Sequence, residues 1–216
     1  MKSIYQYINE NNVPEISDSD LPKGVVDLGL SVKWSSCNIG ADKPYEYGKL
    51  FQWGRVDGYA YGDTNNKFRT KEQNKADTGN EAIPVTTSGK TYSKGEILDK
   101  EDDAAYVATN GKLRMPTLDE ISELITGTTS QWCKCHSVLG RLFTSKKDES
   151  NKIFIPTAGY FDNDDFYSEG SNGVVWSSSV NSEHANSAYC IDFYLSYFNY
   201  YAYSRCNGFS VRGVCK

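Results

Sequence analysis

Apolar and polar residues alternate along VVDLGLSVKW, from Val25 and most clearly after Gly29, in the period of two that a half-buried strand imposes, and CNIGA then turns the chain. GKLFQWG, around Phe51 and Trp53, predicts a second strand. Gly58 to Gly95 is polar, turn-rich and poor in aliphatic residues, and reads as a long surface insertion rather than core. Leu98 to Ala105 (LDKEDDAA) puts carboxylates at the start of a helix running toward Val107, where the positive helix N-terminus favours them. A second helix is marked by Thr117, which stands at capping-box spacing from Glu120. Ile121, Leu124 and Ile125 share one face, so this helix is predicted over Leu118 to Ile125. Ile153 to Tyr160 (IFIPTAGY) is a strand carrying a proline, and short β segments with glycine breaks run on to Val214. At the other end, Ile4, Tyr7 and Ile8 at helical spacing, then Pro22, predict a short helix or tail with a linker over residues 1–22. Strands, then helices, then strands make residues 23–216 an α+β domain with antiparallel strands, two main helices and much irregular loop.

Composition narrows the class. A chain of 216 residues can bury one core as one domain. Sixteen Tyr and nine Phe against two Met, with eighteen Gly, favour short strands and turns over a helical bundle. A net charge of −5 argues against nucleic acid as a partner, because phosphate binding needs clustered Lys and Arg. No apolar run is long enough to cross a bilayer, and Met1 to Asp20 lacks the layout of a signal peptide. The expectation is a soluble chain that is not exported, which the absence of an Asn-x-Ser/Thr sequon accompanies. The six cysteines, Cys37, Cys133, Cys135, Cys190, Cys206 and Cys215, are expected to be free thiols in a chain too long to depend on disulfides.

The motifs VDLGLSVKW, PYEYGKLFQWG, LDKEDDAA, LRMPTLDEISEL, IFIPTAGY, GSNGVVWSSS and GFSVRGV, in this order, resemble the C-type-lectin-like domains of gut Bacteroidetes and their phages, which are related in fold to formylglycine-generating enzymes. The resemblance runs from about Val25 to Val214, and the last two blocks are its most specific part. Many such domains are variable proteins of diversity-generating retroelements. The resemblance therefore implies a C-type-lectin-like fold whose gene is overwritten at its 3′ end from a template miscopied at adenines. Mutated at their adenines, the Asn codons AAC and AAT reach only NNC or NNT, which never encode Lys, Gln, Met, Glu or Trp. No Lys, Gln or Met lies between Ile153 and Cys215, although sixteen of the seventeen Lys lie at or before Lys152. Glu169, Trp176 and Glu183 fall outside the reachable set, and Trp176 and Glu169 would then be fixed scaffold. A β-rich aromatic segment that avoids Lys for packing is the competing reading. The resemblance also makes Phe209, Val211 and Arg212 scaffold, with packing roles for the apolar residues and a local pairing for Arg212.

The segment from residue 158 to 214 has the chemistry of a binding surface, Tyr supplying rigid amphipathic area and Ser, Asn and Gly adaptable hydrogen bonds. Tyr189, Tyr194, Tyr197, Tyr200, Tyr201 and Tyr203 cannot all be core, because each buried hydroxyl needs a partner. The candidate ligand contacts are Asp162, Asn163, Asp165, Tyr167, Asn181, His184, Asn186, Tyr189, Tyr197, Asn199, Tyr200, Tyr203 and Asn207. For any one Tyr, a half-buried strand position is the competing reading. The expected partner is a protein or polysaccharide, with no cofactor. Residues 1–22 would tether the chain in an oligomer or assembly, and synthesis in the cytoplasm would lead to virion or surface display. An unvaried adhesion or structural domain of the same fold is the alternative.

Catalysis is not expected. The related oxidases use a pair of active-site cysteines, but Cys190 and Cys206 lie far apart in sequence and the Trp- and Arg-rich C-terminal signature of those enzymes is missing. Cys133, Cys135 and His136 form a CKCH cluster without a fourth ligand at zinc spacing, and read as thiols and an imidazole on a hairpin after Trp132. FDNDDF lacks the Gly and terminal Glu of an EF-hand loop, and SGKT has Pro84 where a P-loop needs its first Gly. With only His136 and His184, and no GxSxG, a hydrolase triad has little to draw on.

Overall fold

The computed structural model describes residues 13–162 and 165–216, so the helix or tail expected around Ile4, Tyr7 and Ile8 lies outside the described residues. In chain order the strands are β1 (Glu15–Ile16), β2 (Val25–Val26), β3 (Lys33–Asn38), β4 (Lys49–Gln52) and β5 (Tyr59–Ala60). Three helices follow among the described residues, α1 (Lys71–Thr78), α2 (Ala104–Ala108) and α3 (Leu118–Gly127). The remaining strands are β6 (Thr128–Cys135), β7 (Val138–Ser145), β8 (Lys152–Pro156), β9 (Tyr160–Asp162), β10 (Asp165–Tyr167), β11 (Gly173–Val180), β12 (Ser187–Tyr194), β13 (Tyr197–Ser204), β14 (Gly208–Ser210) and β15 (Arg212–Cys215). The arrangement is α+β with strand pairing mostly antiparallel. None of the helices is long and apolar enough to cross a membrane, among the described residues.

The largest sheet runs β10-β9-β14-β11-β12-β13, with β4 also on β14, and is flanked by the sheets β1-β6-β7-β8 and β15-β3-β2. Strand β11 is buried along its whole length because both its faces are covered. Val174 and Trp176 enter one core with Trp53, Cys190, Phe209 and Val211. Val175 on the opposite face joins Trp34, Phe143, Ile191 and Phe193, against which α3 lays Ile121 and Leu124. That helix begins at the expected place: the Thr117 side chain accepts from the Glu120 amide, and the Glu120 carboxylate accepts from the Thr117 amide.

Five expectations are corrected. The strand expected over Ile153 to Tyr160 is broken after Pro156, where Thr157 turns its hydroxyl to the Leu139 carbonyl and Gly159 takes a positive φ, so β8 and β9 join different sheets. The strand expected along VVDLGLSVKW is two, β2 and β3, which pair with each other across a bend at residues 27–32, and β3 runs through Cys37 and Asn38, expected in the turn, because Asn38 points inward and its side chain donates to the Tyr47 carbonyl. The segment from Gly58 to Gly95 is not simply surface. Phe68 packs with Leu50, Ala158 and Phe161, Tyr92 packs edge-on to Trp53 at 5.4 Å, and α1 lies within it, closed by a Thr70–Gln73 capping box and Gly79. The buried Gln52 amide fastens this segment, donating to the carbonyls of Arg69 (2.8 Å) and Cys206 (2.6 Å). The helix expected from Leu98 starts only at Ala104, capped by Asp103. Its acidic lead-in is diverted: the fully buried Asp102 carboxylate accepts from the Ser88 amide and hydroxyl, both 2.6 Å, and from the Tyr92 hydroxyl at 2.7 Å. Lastly, Arg212 does not pair locally. Its guanidinium is fully buried and bonds residues from β3 and β8.

Asp102 thus ties the 58–95 segment to the core. Asp102→Ala leaves three donors without an acceptor and is expected to cost on the order of 3 kcal/mol in urea unfolding, with Asp102→Asn losing less because an amide oxygen still accepts. Equal losses in the two variants would show that the carboxylate charge, which both variants lack, sets the effect, and that neither volume nor a retained acceptor does.

Candidate ligand-binding site

The Tyr-rich sequence folds as the hairpin β12–β13, joined by the two residues Leu195 and Ser196, with β13 at the edge of the large sheet. Alternation divides its side chains. The pairs Tyr194↔Tyr197, Asp192↔Asn199, Cys190↔Tyr201 and Ala188↔Tyr203 share one face, and Phe193↔Phe198, Ile191↔Tyr200 and Tyr189↔Ala202 the other. On the second face Phe198 packs on Phe143 and under Arg141, while Tyr189 meets Tyr200 edge-on at 6.3 Å. Tyr194, Tyr200 and Tyr201 are exposed, Tyr201 to 55%, whereas Tyr189, Tyr197 and Tyr203 are half-buried.

The first face continues into a cleft of about 280 Å³ between the hairpin, β9 and β14. Its walls are Tyr160, Val174, Tyr194, Tyr203 and Phe209, and its polar groups are Asp162, Ser168, Asn172, Asp192 and Asn207. Phe209 forms the floor, supported by Trp176 at 4.2 Å between ring centroids, and both Tyr203 (5.5 Å) and Tyr160 (6.2 Å) stand edge-on to it. Asp192 is only 5% exposed. One carboxylate oxygen accepts from the Tyr203 hydroxyl at 2.7 Å, the other from the Asn172 side-chain amide at 2.9 Å. Burial, then the bond to Asp192 and its charge, hold the Tyr203 phenol far above its usual pKa, so it stays a donor. At the mouth, the Lys71 ammonium lies 3.3 Å from Asp162.

Of the residues singled out from sequence, Asp162, Tyr203 and Asn207 line this cleft, Asn207 at 8% exposure. Tyr167 is exposed beside it, stacked on Tyr160 at 5.7 Å, and Tyr197 stacks on Tyr194 at 5.2 Å. Asn199 is exposed opposite Asp192, and Asp165 is exposed on β10, where its carboxylate accepts from the Phe166 amide. Asn163 lies outside the described residues. The other five are elsewhere. Tyr189 and Tyr200 are on the opposite face, and Asn181, His184 and Asn186 are in the loop between β11 and β12. There the Asn181 side chain accepts from the amides of Glu183 and His184 and so shapes the loop, while His184 is exposed.

Tyr160, Asn172 and Asp192 were not singled out from sequence. Asp192 carried a usable signal, a lone carboxylate between Ile191 and Phe193 in an apolar strand. Tyr160 and Asn172 reach the cleft only through tertiary packing.

The cysteines are all free. Cys133 and Cys135 point together into a small core and are pushed up to about 12 and about 11 by burial, so both remain thiols at neutral pH. His136 sits on the β6–β7 turn at positive φ, stacked on Tyr45 and 3.1 Å from Asp18. No group of three or more His, Cys, Asp or Glu able to hold a metal occurs among the described residues.

Residues 141–214, from the middle of β7 into β15 and including the whole cleft hairpin, match the model of a family described as a domain of unknown function, DUF8237. Neither a curated protein nor a solved structure matches the chain.

Proposed function

We propose that this chain is a ligand-binding protein with a C-type-lectin-like fold, whose C-terminal third is a surface diversified by a retroelement. The observation that carries this reading is the separation of two residue sets within residues 158–214. Trp176, Phe209, Val211 and Arg212 are buried, while Asp162, Tyr194, Tyr197, Asn199 and Tyr203 gather around one open cleft and its rim. Such a division lets surface side chains change while packing stays constant. The lectin-like fold is supported by antiparallel sheets with flanking helices, long irregular connections, and the motif order already described. The ligand on this reading is a protein or a polysaccharide, engaged without catalysis, because the polar groups at the cleft are those of recognition surfaces.

The test is the encoding locus. A template repeat is expected to match the codons for roughly residues 158–214, beside a reverse-transcriptase gene. Copies should differ at adenines in the codons of residues on the cleft's rim such as Tyr197 and Asn199, with the codons of Trp176, Phe209 and Arg212 constant. A locus without a repeat would remove the diversification claim and make a fixed adhesion domain the better reading.

A further inference from the structure

We infer that the cleft beside β12 binds an organic cation, an alkylammonium or guanidinium group such as a Lys or Arg side chain of a partner protein presents. The inference rests on the proposed reading of this cleft as a ligand site and names the chemistry of its occupant.

The first argument is an unbalanced charge. Asp192 is 5% exposed, yet both its hydrogen-bond partners, Tyr203 and Asn172, are neutral. A buried carboxylate is ordinarily matched by a cation, because hydrogen bonds alone repay little of its lost hydration. Each oxygen here accepts one bond and retains capacity for another. The side-chain oxygen of Asn172, its amide committed to Asp192, is buried without a partner. Asp162 adds a second carboxylate at the mouth, where its contact to Lys71 is part-exposed and readily exchanged. Around Asp192 the unmet groups are acceptors, which suits a group that only donates: an ammonium has three N–H bonds, a guanidinium five, and neither accepts. A sugar hydroxyl both donates and accepts and fits such a lining less well.

The second argument is the wall. Tyr160, Tyr194, Tyr203 and Phe209 surround the acidic groups, and aromatic rings attract cations while covering the apolar stem that carries them. The volume of about 280 Å³ lies just below the ~300–1,000 Å³ typical of small-molecule pockets, a size for one side chain.

The third argument is that no cation among the described residues pairs with Asp192: Lys71 is held by Asp162 at the mouth. No Lys lies between Ile153 and Cys215, and the two Arg of that stretch are engaged elsewhere. Arg205 lies over the Trp53 ring at 4.3 Å, and Arg212 bonds β3 and β8. Arg141 is on the far face of the hairpin, over Phe198.

The experiment titrates the full chain, followed by NMR of the Asn side-chain amides, with N-acetyl-arginine methylamide and N-acetyl-lysine methylamide. Controls are N-acetyl-citrulline methylamide, the neutral isostere of the arginine probe, and methyl glucoside. Saturable binding of the two cations is expected, with citrulline weaker by about tenfold or more, and Asp192→Asn lowering arginine affinity by a similar factor. Asp162→Asn should lower it a few-fold. Citrulline binding as well as arginine, or undiminished binding in Asp192→Asn, overturns the inference. So does absence of binding by either cation. Glucoside binding in place of the cations overturns it while leaving the ligand-binding reading intact, and that reading stands or falls on the locus. If Asp192→Asn does not fold, Asp162→Asn and the exposed-wall variant Tyr194→Ala decide, and unchanged arginine affinity in both overturns the inference.

Discussion

Arg212→Ala is expected to destabilise the protein by on the order of 4 kcal/mol or more, enough to remove much of the stability of an ordinary domain. The side chain is fully buried, with its hydrogen-bond partners on β3 of its own sheet and β8 of a second. Its Nε donates to the Asn38 side chain at 3.0 Å, and one terminal nitrogen donates to the carbonyls of Ser35 (3.3 Å), Ser36 (3.2 Å) and Phe154 (3.0 Å). Truncation leaves a large cavity and those acceptors unmet, two penalties that add. No carboxylate is among these hydrogen-bond partners, and burial drives the guanidinium pKa down to about 10, so the charge itself is a burden that the carbonyl dipoles offset. Two further variants separate the contributions. Arg212→Met fills most of the volume without hydrogen bonds and should lose less than Ala. Arg212→Lys keeps the charge but cannot reproduce the fork of donors, so it should remain well below the native protein. Urea unfolding gives the ranking. If Lys restored full stability, charge alone would explain the residue and the geometry of its bonds would not.

Local cues were legible where a residue's partner is close in sequence, and failed where it is not. Thr117 and Glu120 announce α3 because a capping box is complete within one turn. Helix α1 has the same device in Thr70 and Gln73, with Gly79 at its end, but only Asn74 of the helix is buried, so there is no apolar face for periodicity to detect. Asp102 and Asp103 look like one acidic helix start, yet Asp103 caps α2 while Asp102 serves Ser88 and Tyr92 in a neighbouring segment. The same limit governs the cleft. Alternation along β13 places Tyr197, Asn199 and Tyr203 on one face and Tyr200 on the other. What lies across from them, β9 with Tyr160 and the turn bearing Asn172, is decided by the sheet order, which a strand's own pattern does not encode.

Trp176→Ala is expected to lose on the order of 3–5 kcal/mol, and with it the shape of the cleft. Trp176 is fully buried on β11, and its indole donates to the Phe51 carbonyl at 2.8 Å, while Trp53 beside β4 returns a bond to the Ser177 carbonyl at 2.9 Å. These two bonds bridge over β14, which contributes only three residues between its neighbours. Phe209 on β14 rests on the Trp176 ring and in turn supports Tyr203 and Tyr160. Removing the indole therefore leaves a void beneath the cleft floor, an orphaned carbonyl, and two wall residues without support. Trp176→Phe should lose less, on the order of 1–2 kcal/mol, because an aromatic ring still fills part of the site while the hydrogen bond and the rest of the indole go. Tyr201→Thr is the contrasting variant: the Tyr201 side chain is 55% exposed on the edge strand, and the substitution should stay within about 0.5 kcal/mol. Thermal and urea unfolding of the three variants measure the separation between packed floor and changeable face. A Tyr201→Thr loss approaching that of Trp176→Ala would mean that the exposed tyrosines are themselves structural, and a surface free to vary could not be built from them.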